Sequence, residues 1–224
     1  MKTFLLITLF LLIGIILFGF QKNNYPKQET SITMDEKYKN LSKATFAGGC
    51  FWCVESDFEK QDGVVEAISG YAGGHTENPT YKEVSAGGTG HTEAVQVIYD
   101  PEKITYKELL DVFWRHVDPT DSGGQFVDRG SQYRSAIFYH DDEQKRLAEA
   151  SKQELEASGR FDKPIVTEIV KLDKFYNAED YHQDYYKKSA MRYKLYRYGS
   201  GRDQFLNKFW GDETKPSAKN SGDG

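Results

Sequence analysis

The chain has 224 residues and a formal net charge of -5, with 38% hydrophobic and 14% aromatic residues. This composition is too apolar for a disordered chain, and the scattered lysines and arginines argue against nucleic-acid binding. Only two cysteines are present, Cys50 and Cys53, which excludes a disulfide-rich secreted scaffold and an all-cysteine zinc site.

The chain begins with an apolar run from Phe4 to Phe20 that only Thr8 and glycines interrupt. Such a run at the N-terminus predicts a signal peptide or a signal-anchor over residues 1–20. Leu17 and Phe18 stand where a cleavage site needs small residues, which favours an uncleaved anchor. We therefore expect an extracytoplasmic protein, periplasmic or at the cell surface, either anchored in the membrane or secreted.

A polar tether is predicted at residues 21–40, one domain at 41–211 and a disordered tail at 212–224. Within the domain, apolar alternation and turn residues predict strands at 43–49, 64–71, 92–99, 134–139 and 165–170. Helical spacing predicts helices at 51–60, 106–117 and 141–158. Strands and helices without a regular alternation predict an α+β fold, a two-layer sandwich of helices on a mixed sheet.

Cys50 and Cys53 flank two aromatic residues at the start of the predicted helix 51–60. A helix N-terminus stabilises a thiolate, so this pair suits redox chemistry, with Cys50 at the more exposed and more activated end. The alternatives are an inert buried pair, half of a zinc site and a structural disulfide. The histidines show no recognisable zinc-ligand spacing, and a two-residue loop gives a disulfide little entropy to remove, so redox chemistry is favoured.

Phe51 and Trp52 fill the space between the two thiols. Side by side, these rings can wall an apolar pocket for a methyl or thioether group next to the sulfur. The alternative is that both are ordinary core residues. A thioredoxin-like exchanger has the same cysteine spacing, so the spacing alone does not identify the reaction.

A series of ordered motifs resembles the peptide methionine sulfoxide reductase A family over roughly residues 43–198. The motifs are Gly49–Trp52, Gly70–Gly74, Asn78–Tyr81, Gly90–Glu93, Phe126–Ser135 and Tyr181–Gln183. The resemblance implies the α+β two-layer fold, and it implies that residues 41–211 form a catalytic domain for protein repair under oxidative stress. The implied reaction is thiol-dependent reduction of methionine S-sulfoxide, free or in proteins, with no metal and no bound cofactor. A thioredoxin-type donor would supply the electrons.

The resemblance gives Cys50 the role of nucleophile, which becomes a sulfenic acid. Cys53 would then attack that acid to form a disulfide. Many relatives carry recycling cysteines near the C-terminus, but here no cysteine follows Cys53. Recycling must therefore use Cys53 or direct attack by the reductant.

Glu93 is the predicted proton donor to the sulfoxide oxygen, because strand alternation places it on the apolar face with Val95 and Val97. Desolvation there raises a carboxyl pKa and keeps the group protonated. By resemblance, Tyr81 and Tyr133 hold the same oxygen and Asp128 belongs to the substrate pocket.

His182 is interpreted as a structural residue rather than a catalytic one. Two alternative functions remain at this point. A membrane-tethered thiol-disulfide oxidoreductase would share the cysteine pair, and so would a non-catalytic module that binds oxidised methionine. Neither rival accounts for Glu93 on an apolar strand face together with the downstream tyrosine and aspartate motifs.

Overall fold

The computed structural model describes residues 38–211. The predicted leader, the tail and most of the tether lie outside the described residues. In this part of the chain no helix has both the length and the apolar character needed to cross a membrane.

A six-stranded mixed sheet forms the centre of the described residues, in the strand order β7-β6-β1-β3-β2-β8. The strands are β1 (Ser42–Gly48), β2 (Val64–Ala72), β3 (Thr92–Tyr99), β6 (Ser135–Tyr139), β7 (Glu168–Lys171) and β8 (Phe175–Asn177). Neighbouring strands are antiparallel except β6 and β7, which are parallel. A separate two-stranded ribbon joins β4 (Gly124–Gln125) to β5 (Asp128–Arg129).

Helices pack against this sheet and complete the predicted α+β architecture. They are α1 (Phe51–Glu59), α2 (Tyr81–Ala86), α3 (Tyr106–Trp114), α4 (Asp142–Ala157), α5 (Tyr185–Lys188), α6 (Ala190–Gly199) and α7 (Arg202–Phe209), with a 3-10 turn at Ser131–Tyr133. Helices and a mixed sheet in one unit confirm the predicted fold class.

The core is built around Phe46 of β1. Its ring stacks on Phe58 of α1 at 4.9 Å and on Phe113 of α3 at 5.3 Å, measured between ring centroids. All three side chains are fully buried. Burying a side chain of this size stabilises a fold by about 1.5–3 kcal/mol, so these contacts fix α1 on the sheet.

Some predicted boundaries differ from the observed ones. The helix predicted to reach residue 117 ends at Trp114, because the amide of His116 turns back to the carbonyl of Phe113. The strand predicted from residue 165 starts only at Glu168, since the amide of Val166 donates to Pro119 in a loop instead of to a strand. The short α2 and the late helices α5 to α7 were not predicted.

Gly49 makes the turn that joins β1 to α1. Its φ of +83° lies in the left-handed region that glycine adopts without strain. A side chain here would place its Cβ 2.6 Å from the Cβ of Gln125. The turn therefore requires glycine, and it sets the position of the residue that follows, Cys50.

Candidate active site

Cys50 and Cys53 lie at the N-terminus of α1, as predicted. Cys50 is the N-cap residue and Cys53 belongs to the first turn, where its amide donates to the carbonyl of Cys50 at 3.1 Å. Both are free thiols, Cys50 being 6% exposed and Cys53 fully buried. Each thiol shifts the pKa of the other. This arrangement brings the two sulfur atoms together without a disulfide.

The protonation of the pair differs from the sequence-based prediction. Burial raises the pKa of Cys50 well above that of an ordinary thiol, and the hydrogen bond to Cys53 raises it further. The prediction that Cys50 is activated in the free protein is therefore wrong, because desolvation outweighs the helix N-terminus. The hydrogen bond from Cys50 lowers the pKa of Cys53, and Arg202 and Arg197 lower it further, against the effect of burial.

Glu93 lies on β3 with its carboxyl group buried beside the cysteine turn. The side chain is 2% exposed, and its Oε2 atom accepts a 2.9 Å hydrogen bond from the amide of Phe51. Burial raises the pKa of Glu93 to about 8, although the bond from Phe51 acts to lower it. The expected elevation is found, so Glu93 carries a proton at neutral pH.

The other predicted polar residues converge on this carboxyl. Tyr81 at the start of α2 and Tyr133 at the end of the 3-10 turn both interact electrostatically with Glu93, Cys50 and Asp128. Burial raises the pKa of Tyr81 to about 12 and raises that of Tyr133 as well. Both phenols therefore stay protonated and can donate hydrogen bonds.

Main-chain anchors hold these tyrosines in place. The carboxyl group of Glu179 accepts from the amide of Tyr81 at 2.9 Å and from the hydroxyl of Tyr71 at 2.8 Å. The hydroxyl of Thr92 donates to the carbonyl of Gln132 at 2.9 Å and so ties β3 to the turn that carries Tyr133.

Phe51 and Trp52 begin α1 and face an aromatic cluster. Phe51 is 1% exposed and lies 6.3 Å from Tyr81, whereas Trp52 is half-buried and stacks on Tyr185 at 3.8 Å, between ring centroids. Phe51 belongs both to the core and to the surroundings of Cys50. The two rings supply the apolar surface that the sequence predicted next to the thiol.

Sequence reasoning missed Tyr196 of α6. Its hydroxyl donates to the carboxylate of Asp128 and interacts with the thiol of Cys50. Burial raises the pKa of Asp128, and Arg129 pairs with Asp121 instead of with Asp128. Asp128 therefore does not pair with the arginine next to it in the chain. Nothing in the tyrosine-rich sequence distinguishes Tyr196 from its neighbours, because its role depends on how α6 packs.

His182 lies inside the aromatic cluster. Its Nδ1 atom accepts from Trp52 Nε1 at 3.1 Å, and its ring lies 4.9 Å from Phe51 and 4.3 Å from Tyr81. Burial lowers its pKa, so the ring is neutral and carries its proton on Nε2. That buried Nε2 atom has no hydrogen-bond partner among the described residues. His182 positions Trp52, as a structural residue would.

One carboxylate cluster resembles a metal site in composition. Ligand atoms of Glu55, Glu59 and Asp184 lie within 4.8 Å of one another. The ammonium of Lys187 pairs with Glu59 at 2.5 Å and with Asp184 at 2.7 Å, and Glu55 accepts from Ser69 and from the amide of Asp184. Groups of the chain itself thus occupy this cluster, which ties α1 to the segment that carries α5.

Known proteins are similar in sequence to this chain over most of its length. A family model described as peptide methionine sulfoxide reductase matches residues 42–214. Peptide methionine sulfoxide reductase MsrA of Listeria monocytogenes is 58% identical over 172 residues, which are 77% of this chain and 97% of that protein. The MsrA protein of Bacillus subtilis is 59% identical over 168 residues, covering 75% of this chain and 95% of that protein.

A longer relative and two solved structures also match. The chain is 56% identical to the MsrA/MsrB protein of Vibrio cholerae over 187 residues, which are 84% of this chain but only 50% of that protein. The reduced form of Mxr1 from Saccharomyces cerevisiae superposes with a TM-score of 0.64 at 37% identity, over 68% of this chain and 87% of that one. Methionine sulfoxide reductase A of Corynebacterium diphtheriae gives 0.61 at 37% identity, over 67% and 76%.

Proposed function

The chain belongs to the peptide methionine sulfoxide reductase A family and is a peptide methionine sulfoxide reductase; from this premise, we propose how its residues perform the reaction. The proposed substrates are the S epimer of methionine sulfoxide in oxidised proteins and the free amino acid. The observation that carries the mechanism is the buried, protonated carboxyl of Glu93, held by the amide of Phe51 next to Cys50.

In the first step the sulfur of Cys50 attacks the sulfoxide sulfur while Glu93 donates its proton to the sulfoxide oxygen. The hydroxyl group then passes to the Cys50 sulfur: the bond between oxygen and the substrate sulfur breaks, and so does the new bond between the two sulfurs, while an oxygen–sulfur bond to Cys50 forms. The substrate sulfur gains two electrons, and Cys50 loses two and becomes a sulfenic acid. The proton of the Cys50 thiol replaces the one that Glu93 gave, so methionine is released with all atoms balanced.

Substrate binding supplies the activation that Cys50 lacks in the free protein. As the proton of Glu93 shifts towards the sulfoxide oxygen, positive charge develops on the substrate sulfur. An adjacent positive charge lowers a thiol pKa and offsets the desolvation that raises it. The hydroxyls of Tyr81 and Tyr133 would donate to the same oxygen, and Asp128 would accept from an N–H of the substrate.

In the second step Cys53 attacks the Cys50 sulfenic acid. The disulfide forms as the sulfur–oxygen bond breaks, and the hydroxide takes a proton and leaves as water. A thioredoxin-type dithiol then reduces the disulfide. Support for this route comes from the position of both thiols at the start of α1, where each shifts the pKa of the other.

The test is reduction of the separate S and R epimers of a methionine sulfoxide peptide by the full-length chain in mild detergent, driven by dithiothreitol or by thioredoxin. We expect turnover of the S epimer only, abolished in Cys50→Ser. The Cys53→Ser variant should release one equivalent of methionine but cycle poorly with thioredoxin. Reduction of insulin disulfides without turnover of either epimer would instead support a thiol-disulfide oxidoreductase. Binding of the peptide without turnover would support a non-catalytic binder.

We also propose that the enzyme works outside the cytoplasm, held at a membrane by the apolar residues 4–20 or secreted through them. The support is the sequence of that segment alone. We expect to recover the chain in carbonate-washed membranes. We also expect that protease added outside intact cells degrades the chain. Recovery in the soluble cytosol would contradict the proposal.

A further inference from the structure

Arg202, at the start of α7, is the largest of the fully buried side chains and is 1% exposed. Its guanidinium donates to the carbonyl of Gly48 at 2.8 Å and to the carbonyl of His116 at 2.6 Å. The same group lies over the ring of Phe126, 4.6 Å from the ring centroid. Among residues 38–211 no carboxylate oxygen lies within 4.0 Å of it. Arg202 is thus a buried cation held by neutral groups.

A buried charge without a counter-charge is costly, so an anion must lie nearby. Arg202 acts to lower the pKa of three groups, which are Cys53, Asp57 and Asp128. Asp57 already binds Arg197 at 2.7 Å. Asp128 accepts from a tyrosine hydroxyl, and burial raises its pKa on balance. The guanidinium of Arg202 lies against the cysteine turn, since it donates to Gly48 and its Nη2 atom lies 3.2 Å from the position that a Cβ of Gly49 would occupy. Cys53 is the one of the three groups that belongs to this turn, so it is the group left to balance Arg202.

The neighbouring arginine, Arg197 of α6, provides a contrast. Its guanidinium contacts the carboxylates of Asp57 at 2.7 Å and of Asp203 at 2.8 Å, and it donates to the hydroxyl of Tyr193. Two carboxylates already compensate its charge. Of the two guanidinium groups near Cys53, only that of Arg202 has no carboxylate partner.

We propose that Arg202 is a positioning residue for the resolving step, in which its guanidinium stabilises the thiolate of Cys53 that attacks oxidised Cys50. The inference deepens the proposed function and rests on it. The new sulfur–sulfur bond uses an electron pair of Cys53, and the pair of the sulfur–oxygen bond leaves with hydroxide, which a proton converts to water. The bond from Arg202 to Gly48 also holds the strand end that leads into the cysteine turn.

Charges from several elements face Cys53, and their signs support this role. Within α1, Cys50 lowers the pKa of Cys53 by hydrogen bonding and Asp57 acts to raise it. Arg202 and Arg197 of the late helices also lower the pKa of Cys53. Tyr193 and Tyr196 of α6 interact with Cys53 electrostatically, and so does Glu93 of β3. Among the charged groups that lower the pKa of Cys53, Arg202 has the largest effect.

A thiolate titration tests the electrostatic part without requiring catalysis. In the full-length Cys50→Ser chain in detergent, Cys53 is the only thiol, so absorbance at 240 nm against pH reports its ionisation. Adding Arg202→Gln should raise the midpoint by about one pH unit, equivalent to about tenfold less thiolate at neutral pH. Adding Arg202→Lys should restore the midpoint, because lysine keeps the charge although it loses the paired carbonyl bonds. The proposal would be overturned if the midpoint were the same with and without Arg202→Gln. It would also be overturned if Arg202→Lys raised the midpoint as much as Arg202→Gln does.

The resolving step is tested separately with both cysteines present. After one equivalent of substrate, disulfide formation in Arg202→Gln should be about tenfold slower than in the unchanged chain at pH 7 and should recover at pH 9. Equal slowing at every pH would leave Arg202 a structural role only. Methionine release in the same samples measures the first step. Absence of methionine would mean that the proposed function has failed, whereas methionine release with unchanged disulfide formation would mean that only the role of Arg202 has failed.

If the Arg202→Gln variant does not fold, the pH dependence of disulfide formation in the unchanged chain still tests the proposal. Between pH 7 and pH 9 the rate of disulfide formation in that chain should rise less than tenfold per pH unit and then level off, because the pKa of Cys53 is lowered from that of an ordinary thiol. A tenfold rise per pH unit over that range would contradict the role of Arg202.

Discussion

Glu93 and Phe51 are joined by a hydrogen bond in which the amide of Phe51 donates to the buried carboxyl at 2.9 Å. Phe51 directly follows Cys50, so this bond holds the proton donor beside the nucleophile. The same bond favours the charged form of Glu93, but burial dominates and the pKa rises to about 8. One contact therefore positions the group, while the surrounding apolar residues decide its protonation.

Replacing Glu93 by Gln should slow methionine formation in a single turnover by about 10²- to 10⁴-fold, because Gln keeps the bond from Phe51 but has no acidic proton. In the unchanged chain the same rate should fall above pH 8 as Glu93 ionises. Rapid quenching of one turnover across pH 5–10 measures both effects. A variant with the unchanged rate would remove Glu93 from the chemistry.

The stability of the fold should also respond to Glu93. Between its ordinary pKa and about 8 the unfolded chain releases a proton that the folded chain keeps, so the free energy of unfolding falls as pH rises through this window. The Glu93→Gln variant has no titrating group at this position, so its free energy of unfolding does not fall for this reason. Its stability relative to the unchanged chain should grow from pH 5 to pH 9 by at most about 4 kcal/mol. Urea unfolding at each pH measures it, with exposed Glu156→Gln as the control, and parallel curves would contradict the prediction.

Tyr196→Phe removes the hydroxyl that donates to Asp128 and interacts with the thiol of Cys50. We expect the rate of the first step to fall by about tenfold, because loss of one hydrogen bond to a charged group costs about 1.5–3 kcal/mol and solvent recovers part of that. Single-turnover rates measure the effect. Tyr198→Phe is a matched control on the same helix, since Tyr198 is 74% exposed. Equal rates in the two variants would contradict a role for Tyr196.

Tyr81 and Tyr133 should stabilise the oxygen that receives the proton. Each single change to Phe should slow the first step by about tenfold, with the double change slower by about 10²- to 10³-fold. The effect should fall on the rate rather than on substrate binding, because charge develops on that oxygen during the reaction. Single-turnover rates at rising substrate concentration separate the two. Tyr139→Phe, at the end of β6 and outside the site, is the control, and a change in binding alone would contradict the assigned role.

Much of the fold follows from local pattern. The bounds of β3 match the predicted 92–99 because alternation there ends at a turn signal. The start of α3 at Tyr106 follows from apolar spacing and from a capping box made by Thr105 and Glu108. The short α2 has the same signal in Thr80 and Glu83, which could have been recognised.

The late helices α5 to α7 show the limit of such patterns. The buried side chains of these helices are Tyr193, Arg202 and Leu206, of which only Leu206 is aliphatic, so hydrophobic periodicity is weak there. Arg202 illustrates this, since it is buried although its residue type predicts exposure.

The sequence by itself determined the family, the cysteine pair at a helix start and the apolar strand face that carries Glu93, because each depends on residues close together in the chain. Only the tertiary structure decided that Cys50 is protonated at rest, that Tyr196 reaches it and that Arg202 lies near Cys53. These features depend on residues about 140 to 150 positions apart and on burial. Desolvation and charge proximity arise only when α6 and α7 pack against α1, and no local pattern encodes them.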